Sequence, residues 1–196
     1  MKKSTFEVVS LEDQIRRITS WIVDVVLVVI LAFFLTWAFG TRVTMVGNSM
    51  SPLLESGDRM FVNRTKGRLV PLQRFDVAAY EMPDDDSIYL KLILGLPGET
   101  VQIKDGLVYV NNELLEDKRL SFRIPNAGIA EDPILLGEGE FFVIGRSPDA
   151  SLDSRSAEVG NIPQDRICGT VWLRYSPIGN FGFVREPADR EETHEN

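Results

Sequence analysis

Tyr89-Leu90-Lys91-Leu92-Ile93-Leu94 is an apolar run with a single lysine set inside it. Read as a β-strand, it places Tyr89, Lys91 and Ile93 on one face and Leu90, Leu92 and Leu94 on the other, so Lys91 has apolar neighbours whichever face turns inward. Two readings compete. An edge-strand lysine can snorkel its ammonium to water, whereas a buried one has its pKa lowered and can act as a base. At the ordinary pKa near 10.4 only about one lysine in a few thousand is neutral at pH 7. Lowering that value to about 8 raises the neutral fraction to roughly one in ten, at a cost of about 3 kcal/mol.

Around this run the chain alternates short β-type segments with turn residues. Strands are expected over Arg59 to Asn63, Val77 to Glu81, Ile88 to Leu94, Thr100 to Lys104, Leu107 to Val110, Glu140 to Ile144 and Cys168 to Tyr175. Asp105-Gly106 signals a tight hairpin and Asn111-Asn112 opens another turn. The segment from Glu116 to Gly139, with Pro125, Gly128, Pro133 and Gly137, reads as a loop-rich excursion from the β core. The fold class is therefore mainly β, behind one amino-terminal helix.

That helix is legible as a membrane anchor. Val25 to Phe39 carries no charge, and Ile22 to Gly40 gives about 19 residues if Asp24 is tolerated near one end. At about 1.5 Å per residue it spans roughly 28 Å, close to the hydrocarbon thickness of a bilayer. Trp21 and Trp37 sit where indole rings prefer to lie. Lys2, Lys3, Arg16 and Arg17 precede the span and Arg42 follows it, which keeps the amino terminus cytoplasmic. A cleaved signal peptide is the competing reading, but the span is at or above the usual length of a secretory apolar region. Residues 1–20 are expected as a cytoplasmic segment, 21–40 as the anchor, 41–184 as an extracytoplasmic β-rich catalytic domain and 185–196 as a charged tail.

Composition removes competing chemistries. The only histidine, His194, lies in the charged tail, which excludes a Ser-His-Asp triad or a Cys-His pair. The only cysteine, Cys168, leaves no internal disulfide and no thiolate metal cluster, and reads as a small core residue in a strand. No cofactor or metal is expected. A net charge of −8 argues against nucleic acid as a partner.

Ser49 stands nine residues beyond the anchor, in Met45-Val46-Gly47-Asn48-Ser49-Met50-Ser51-Pro52. Alone it is ordinary turn material, as Lys91 alone is an ordinary edge lysine. Together they suggest the two halves of a serine-lysine hydrolase.

Four ordered boxes strengthen this. Gly47-Asn48-Ser49-Met50-Ser51-Pro52-Leu53-Leu54, then Gly57-Asp58, then Tyr89-Leu90-Lys91 with Gly95-Leu96-Pro97-Gly98-Glu99, and finally Ser151-Leu152-Asp153-Ser154-Arg155, resemble in order the signature boxes of bacterial type I signal peptidases. The closing Gly169-Thr170-Val171-Trp172-Leu173-Arg174-Tyr175 is also similar. The resemblance implies a single-pass enzyme of the bacterial cell membrane that removes signal peptides from exported preproteins, cutting after small residues of the Ala-x-Ala type. Its partners would be those signal peptides, the lipid bilayer and a nearby export machinery. It further implies Ser49 as acylating nucleophile, Lys91 as general base and Ser151 as the hydroxyl that orients the lysine. The Ser49 backbone N–H would serve the oxyanion, Asp153 and Arg155 would support the site, and Met45, Val46, Met50, Leu54, Tyr89 and Leu90 would line the substrate pockets.

The chain departs from the family pattern in three places. Gly47 stands where some members carry a serine that donates to the oxyanion, Leu92 replaces an arginine after the lysine, and Gly145-Arg146-Ser147-Pro148 replaces Gly-Asp-Asn-Arg. Two alternatives compete with the enzyme: a self-cleaving serine-lysine repressor, opposed by the anchor, and a catalytically silent scaffold in surface protein assembly, opposed by retention of both Ser49 and Lys91.

Overall fold

The computed structural model describes residues 11–83, 85–120, 122–147 and 152–184. Two compact units divide near Phe39. The first contains one α-helix, α1 (Leu11–Phe39, 29 residues). Its apolar side chains are exposed all round, from Trp21 and Leu27 to Phe33. Apolar residues on every side suit a helix to lipid, and residues 14–39 are long and apolar enough to cross a bilayer. Its hydroxyls are satisfied internally, Thr19 Oγ1 donating to the Ile15 carbonyl at 2.8 Å and Thr36 Oγ1 to that of Ala32 at 2.9 Å. Leu11, Ile15, Ile18 and Ile22 all lie in α1, so their periodicity belongs to the same helix as the span.

The second unit is built from antiparallel strands: β1 (Thr41–Thr44), β2 (Arg59–Asn63), β3 (Val77–Met82), β4 (Asp85–Gly95), β5 (Thr100–Lys104), β6 (Leu107–Val110), β7 (Glu113–Leu114), β8 (Ile134–Leu135), β9 (Glu140–Ile144), β10 (Ile162–Pro163), β11 (Ile167–Ser176) and β12 (Gly182–Phe183). One sheet runs β1-β2-β11-β3-β4-β9-β10, with β12 on β11, and a smaller one runs β7-β6-β5-β8. The turn signals act as their chemistry requires. Asp105 and Gly106 take φ of 50° and 77° between β5 and β6, and Asn111 and Asn112 take 53° and 67° between β6 and β7, the left-handed pair that a two-residue hairpin needs. Within the stretch from Glu116 to Gly139 lie β8 and two short 3₁₀ turns.

β4 is the spine of the core. Leu90, Leu92 and Leu94 fall in one buried cluster with Met50, Leu54, Met60 and Ile144, while Ile93 falls in a second with Tyr80, Phe141 and Val143. Both faces of the strand are therefore covered, which is why it reads as a continuous apolar run rather than an alternation. Cys168 differs from its expected place in the core. It lies in β11 but is only half-buried, its Sγ 3.4 Å from Glu81 Oε1, because Gly169 and a register shift in the pairing with β3 turn the strand at that point.

Candidate active site

Ser49 sits in the turn that leaves β1, and that turn is pinned at its base. The Met45 N–H donates to the Asp58 carbonyl at 2.8 Å, and the Gly57 N–H donates back to the Met45 carbonyl at 2.9 Å. Asp58 is 2% exposed; its Oδ2 accepts the Glu55 N–H at 3.0 Å and Arg174 Nη1, from β11, at 2.8 Å. The Gly57-Asp58 box thus bolts the serine turn to the sheet. Met50 and Leu54 are drawn fully into the core, which leaves Ser49 half-buried above them. Among the described residues, no group accepts a hydrogen bond from the Ser49 N–H.

Lys91 lies where β4 changes partners. On one side it pairs with Ala78 of β3, but β9 joins the other side only from Leu92 onward. Ser87 to Lys91 thus precede the stretch of β4 that β9 covers. A cleft of about 450 Å³ is lined by Arg42 to Val46 and Ser49 on one wall and Ser87 to Lys91 on the other. The nucleophile candidate and the base candidate thus line the same cleft, between β1 and β4.

Lys91 is 3% exposed. Burial pushes its ammonium down to about 8; the Asp153 carboxylate opposes this and the Arg155 guanidinium assists it. The Asp153–Arg155 pair is itself buried and fully hydrogen-bonded. Arg155 Nε donates to Asp153 Oδ1 at 2.9 Å and Nη2 to Oδ2 at 2.8 Å, while Nη1 reaches the Asn126 carbonyl at 3.0 Å. Asp153 Oδ2 also accepts the Gly145 N–H at 2.8 Å. Neighbouring Tyr80 has its phenol raised well above its ordinary value, first by burial and then by the Asp153 charge.

With this geometry in place, a family model described as signal peptidase, peptidase S26, matches residues 18–176. The chain belongs to that family. As a signal peptidase family member it is a serine endopeptidase. Signal peptidase I T of Bacillus subtilis (strain 168) is 32% identical over 168 residues, covering 82% of this chain and 86% of that protein. Signal peptidase I of Bacillus licheniformis is 29% identical over 82% of this chain and 90% of its own length. The crystal structure of a signal peptidase I from Enterococcus faecalis V583 is 28% identical, covering 51% of this chain and 96% of that one, with a TM-score of 0.42.

The signal peptidase boxes do not all meet at the cleft. Met45, Val46, Ser49, Tyr89, Leu90 and Lys91 line it. Met50 and Leu54 lie in the core, and Asp153 and Arg155 are buried outside the cleft lining, close enough for their charges to act on Lys91. Ser151 is outside the described residues. Glu99, of the Gly95 to Glu99 box, accepts Arg74 Nη2 at 2.6 Å and the Leu96 N–H at 2.8 Å, a structural brace. Sequence reasoning missed Arg42, Thr44, Ser87 and Ile88 on the cleft wall. The signal for the first two was the Thr-Arg-Val-Thr alternation of β1, a strand too short and too close to the helix to stand out.

The departures have physical readings. Gly47 has φ of +79°, a conformation costly for serine, with no atom within 4 Å of where a Cβ would lie. Leu92 is fully buried, so a guanidinium there would lose its hydration. The altered loop at Gly145 still connects the site: its Gly145 N–H holds Asp153, and its Ser147 N–H donates to the Ser49 carbonyl at 3.0 Å.

Proposed function

We propose that Ser49 and Lys91 are the nucleophile and general base of a membrane-anchored signal peptidase that removes signal peptides from exported preproteins. The observation that carries this reading is a lysine 3% exposed, with its pKa pushed down to about 8, on the wall of the cleft that Ser49 also lines. The chain offers no histidine outside its charged tail to do the same work.

In this mechanism neutral Lys91 Nζ takes the Ser49 hydroxyl proton as Oγ attacks the scissile carbonyl. The oxyanion so formed is stabilised by the unclaimed Ser49 N–H, and Gly47, lacking a hydroxyl, could contribute only through its backbone. Lys91 returns the proton to the departing amine, the C–N bond breaks, and a serine ester remains. Water, deprotonated by the same amine, then attacks the ester, and the proton goes back to Ser49 Oγ as the acid leaves. Ser151 is assigned to hold the lysine amine in line, and Asp153 with Arg155 to support it.

The substrate is an extended segment that adds a strand in the cleft between β1 and β4, so that backbone bonds give affinity and side-chain pockets give specificity. The buried Met45 and Leu90, with Tyr89 and Val46, shape pockets for small residues one and three places before the cut, of the Ala-x-Ala type, and Met50 and Leu54 support them from below. The amino terminus is assigned to the cytoplasm, residues 41–184 to the outer face, and the export machinery to the neighbourhood that delivers substrate. Cleavage of a model preprotein by the full-length wild type, Ser49→Ala and Ser51→Ala tests this. Turnover is lost only in Ser49→Ala; substantial cleavage by that variant would remove Ser49 from the chemistry.

A further inference from the structure

The cleft between β1 and β4 has two ends, and only one holds the proposed chemistry. Every step along the path β1-β2-β11-β3-β4 is antiparallel, so β1 and β4 run in the same direction. Both run toward Ser49 and Lys91, and Arg42 and Ser87 line the far end. Among the described residues that line the cleft, Arg42 and Lys91 are the only charged ones. Lys91 is buried, whereas Arg42 is exposed and keeps its charge at any working pH. Its guanidinium lies 5.8 Å from the ring centroid of Phe61, its cross-strand partner on β2, and Phe61 packs on Tyr175 at 4.6 Å. An aromatic face steadies a cation without cancelling its charge. Among the described residues no carboxylate pairs with Arg42.

The position of Arg42 sets which substrate residue it meets, given the extended binding proposed above. Met45 and Leu90, assigned to the pockets, precede Ser49 and Lys91, so the part of the substrate before the cut runs from the catalytic end toward Arg42. Val43 and Met45 are buried while Arg42, Thr44 and Val46 are exposed, the alternation of an extended chain with one face inward. A strand laid beside β1 shares that alternation. With the small residues at minus one and minus three facing inward, minus two faces outward beside Val46. Arg42 is four residues upstream of Val46 on the same face, about 13 Å away in extended chain, so it meets minus six.

We infer that Arg42 forms an outer subsite of the cleft, which favours a substrate carrying an acidic side chain six residues before the cut and disfavours one carrying a basic side chain there. The guanidinium presents a fork of N–H donors that matches a carboxylate, and it repels a lysine or arginine brought to the same place. Because the site is exposed, the discrimination is modest and screened by salt. The pockets for small residues set where the chain is cut, and Arg42 grades substrates that share the same cut site.

The test gives the full-length enzyme, in nonionic detergent, three peptides that share one Ala-x-Ala site and differ only at minus six, with glutamate, glutamine or lysine. kcat/KM should fall in that order by about threefold per step. The steps should shrink in about 1 M salt, where the Debye length is about 3 Å. Arg42→Glu should reverse the order, and Lys104→Gln, which removes an exposed cation of β5, should keep it. Binding of the same peptides to Ser49→Ala, read by fluorescence anisotropy, should follow the wild-type order and tests the subsite without turnover. Equal kcat/KM and equal affinity for the three peptides would overturn the subsite, as would an order that survived Arg42→Glu. A preference for lysine would overturn it too, and would give this end of the cleft to the Asp84-Asp85-Asp86 run that precedes Ser87. Failure of the dyad reads differently: cleavage would persist in Ser49→Ala while the order of affinities stood.

Discussion

Arg155 closes on Asp153 through two parallel hydrogen bonds of 2.9 and 2.8 Å, with the carboxylate wholly buried and the guanidinium nearly so. The two charges act on Lys91 in opposite senses, Asp153 raising its pKa and Arg155 lowering it, so the pair leaves burial as the leading cause of the depressed value. Replacing Arg155 by methionine uncovers the carboxylate. The pH–rate midpoint should then move to higher pH, and stability should fall by about 3–5 kcal/mol, since a buried charge has lost its partner. Arg155→Lys, which keeps the charge, should move the midpoint less. A folded Arg155→Met enzyme with an unshifted midpoint would separate the pair from Lys91.

A depressed lysine also has a stability signature. Lys91 binds its proton less tightly in the fold, about 8 against an ordinary 10.5, so the unfolded chain holds more protons between those values. Stability is penalised below about pH 8, and the penalty is relieved as pH rises from 8 toward 10.5. Lys91→Met should therefore be more stable than wild type at pH 7, by up to about 3 kcal/mol, with the gain fading across that window. Denaturant melts at pH 7 and pH 10 measure it. A variant less stable at pH 7, or a gain that grew with pH, would contradict the assignment.

Ser151 is assigned an orienting role, so its loss misplaces the base rather than the substrate. Ser151→Ala should lower kcat by about 10- to 1,000-fold with little change in KM. Normal kcat with a raised KM would place the hydroxyl in substrate binding instead.

The strands whose bounds were most legible in sequence were those closely framed by turn residues. Arg59 to Asn63, Thr100 to Lys104, Leu107 to Val110 and Glu140 to Ile144 run over the same residues in the structure, because each carries enough Val, Ile, Phe or Tyr between turn residues to declare itself. The two-residue strands β7, β8, β10 and β12 were not legible, since a pair of residues has no period; they exist only through their partners. The lysine was visible as an anomaly in an apolar run, but its burial depends on β3 and β9, which are distant in sequence. Likewise the cleft arises from where β9 stops pairing with β4, a register that no local pattern encodes.

Gly128 shows how a loop far from the boxes reaches the site. It has φ of +57°, and a Cβ there would stand 2.1 Å from the Arg155 carbonyl oxygen, which itself accepts the Ile129 N–H at 2.9 Å. Gly128→Ala should destabilise by more than about 2 kcal/mol and impair turnover by displacing the Arg155 backbone. A thermal melt and activity both within error of wild type would refute that close approach.

The central claim is that a neutral lysine, not a histidine, takes the proton from Ser49. The most direct measurement is the pH dependence of kcat/KM for the full-length enzyme with a soluble peptide bearing alanine one and three residues before the cut, run beside Lys91→Arg. The rate should rise with pH through a midpoint near the depressed value of about 8 and level off above it, while Lys91→Arg, which keeps its proton throughout, should be inactive at every pH. A flat profile across that range, or comparable turnover by Lys91→Arg, would leave Lys91 a structural residue and contradict the dyad.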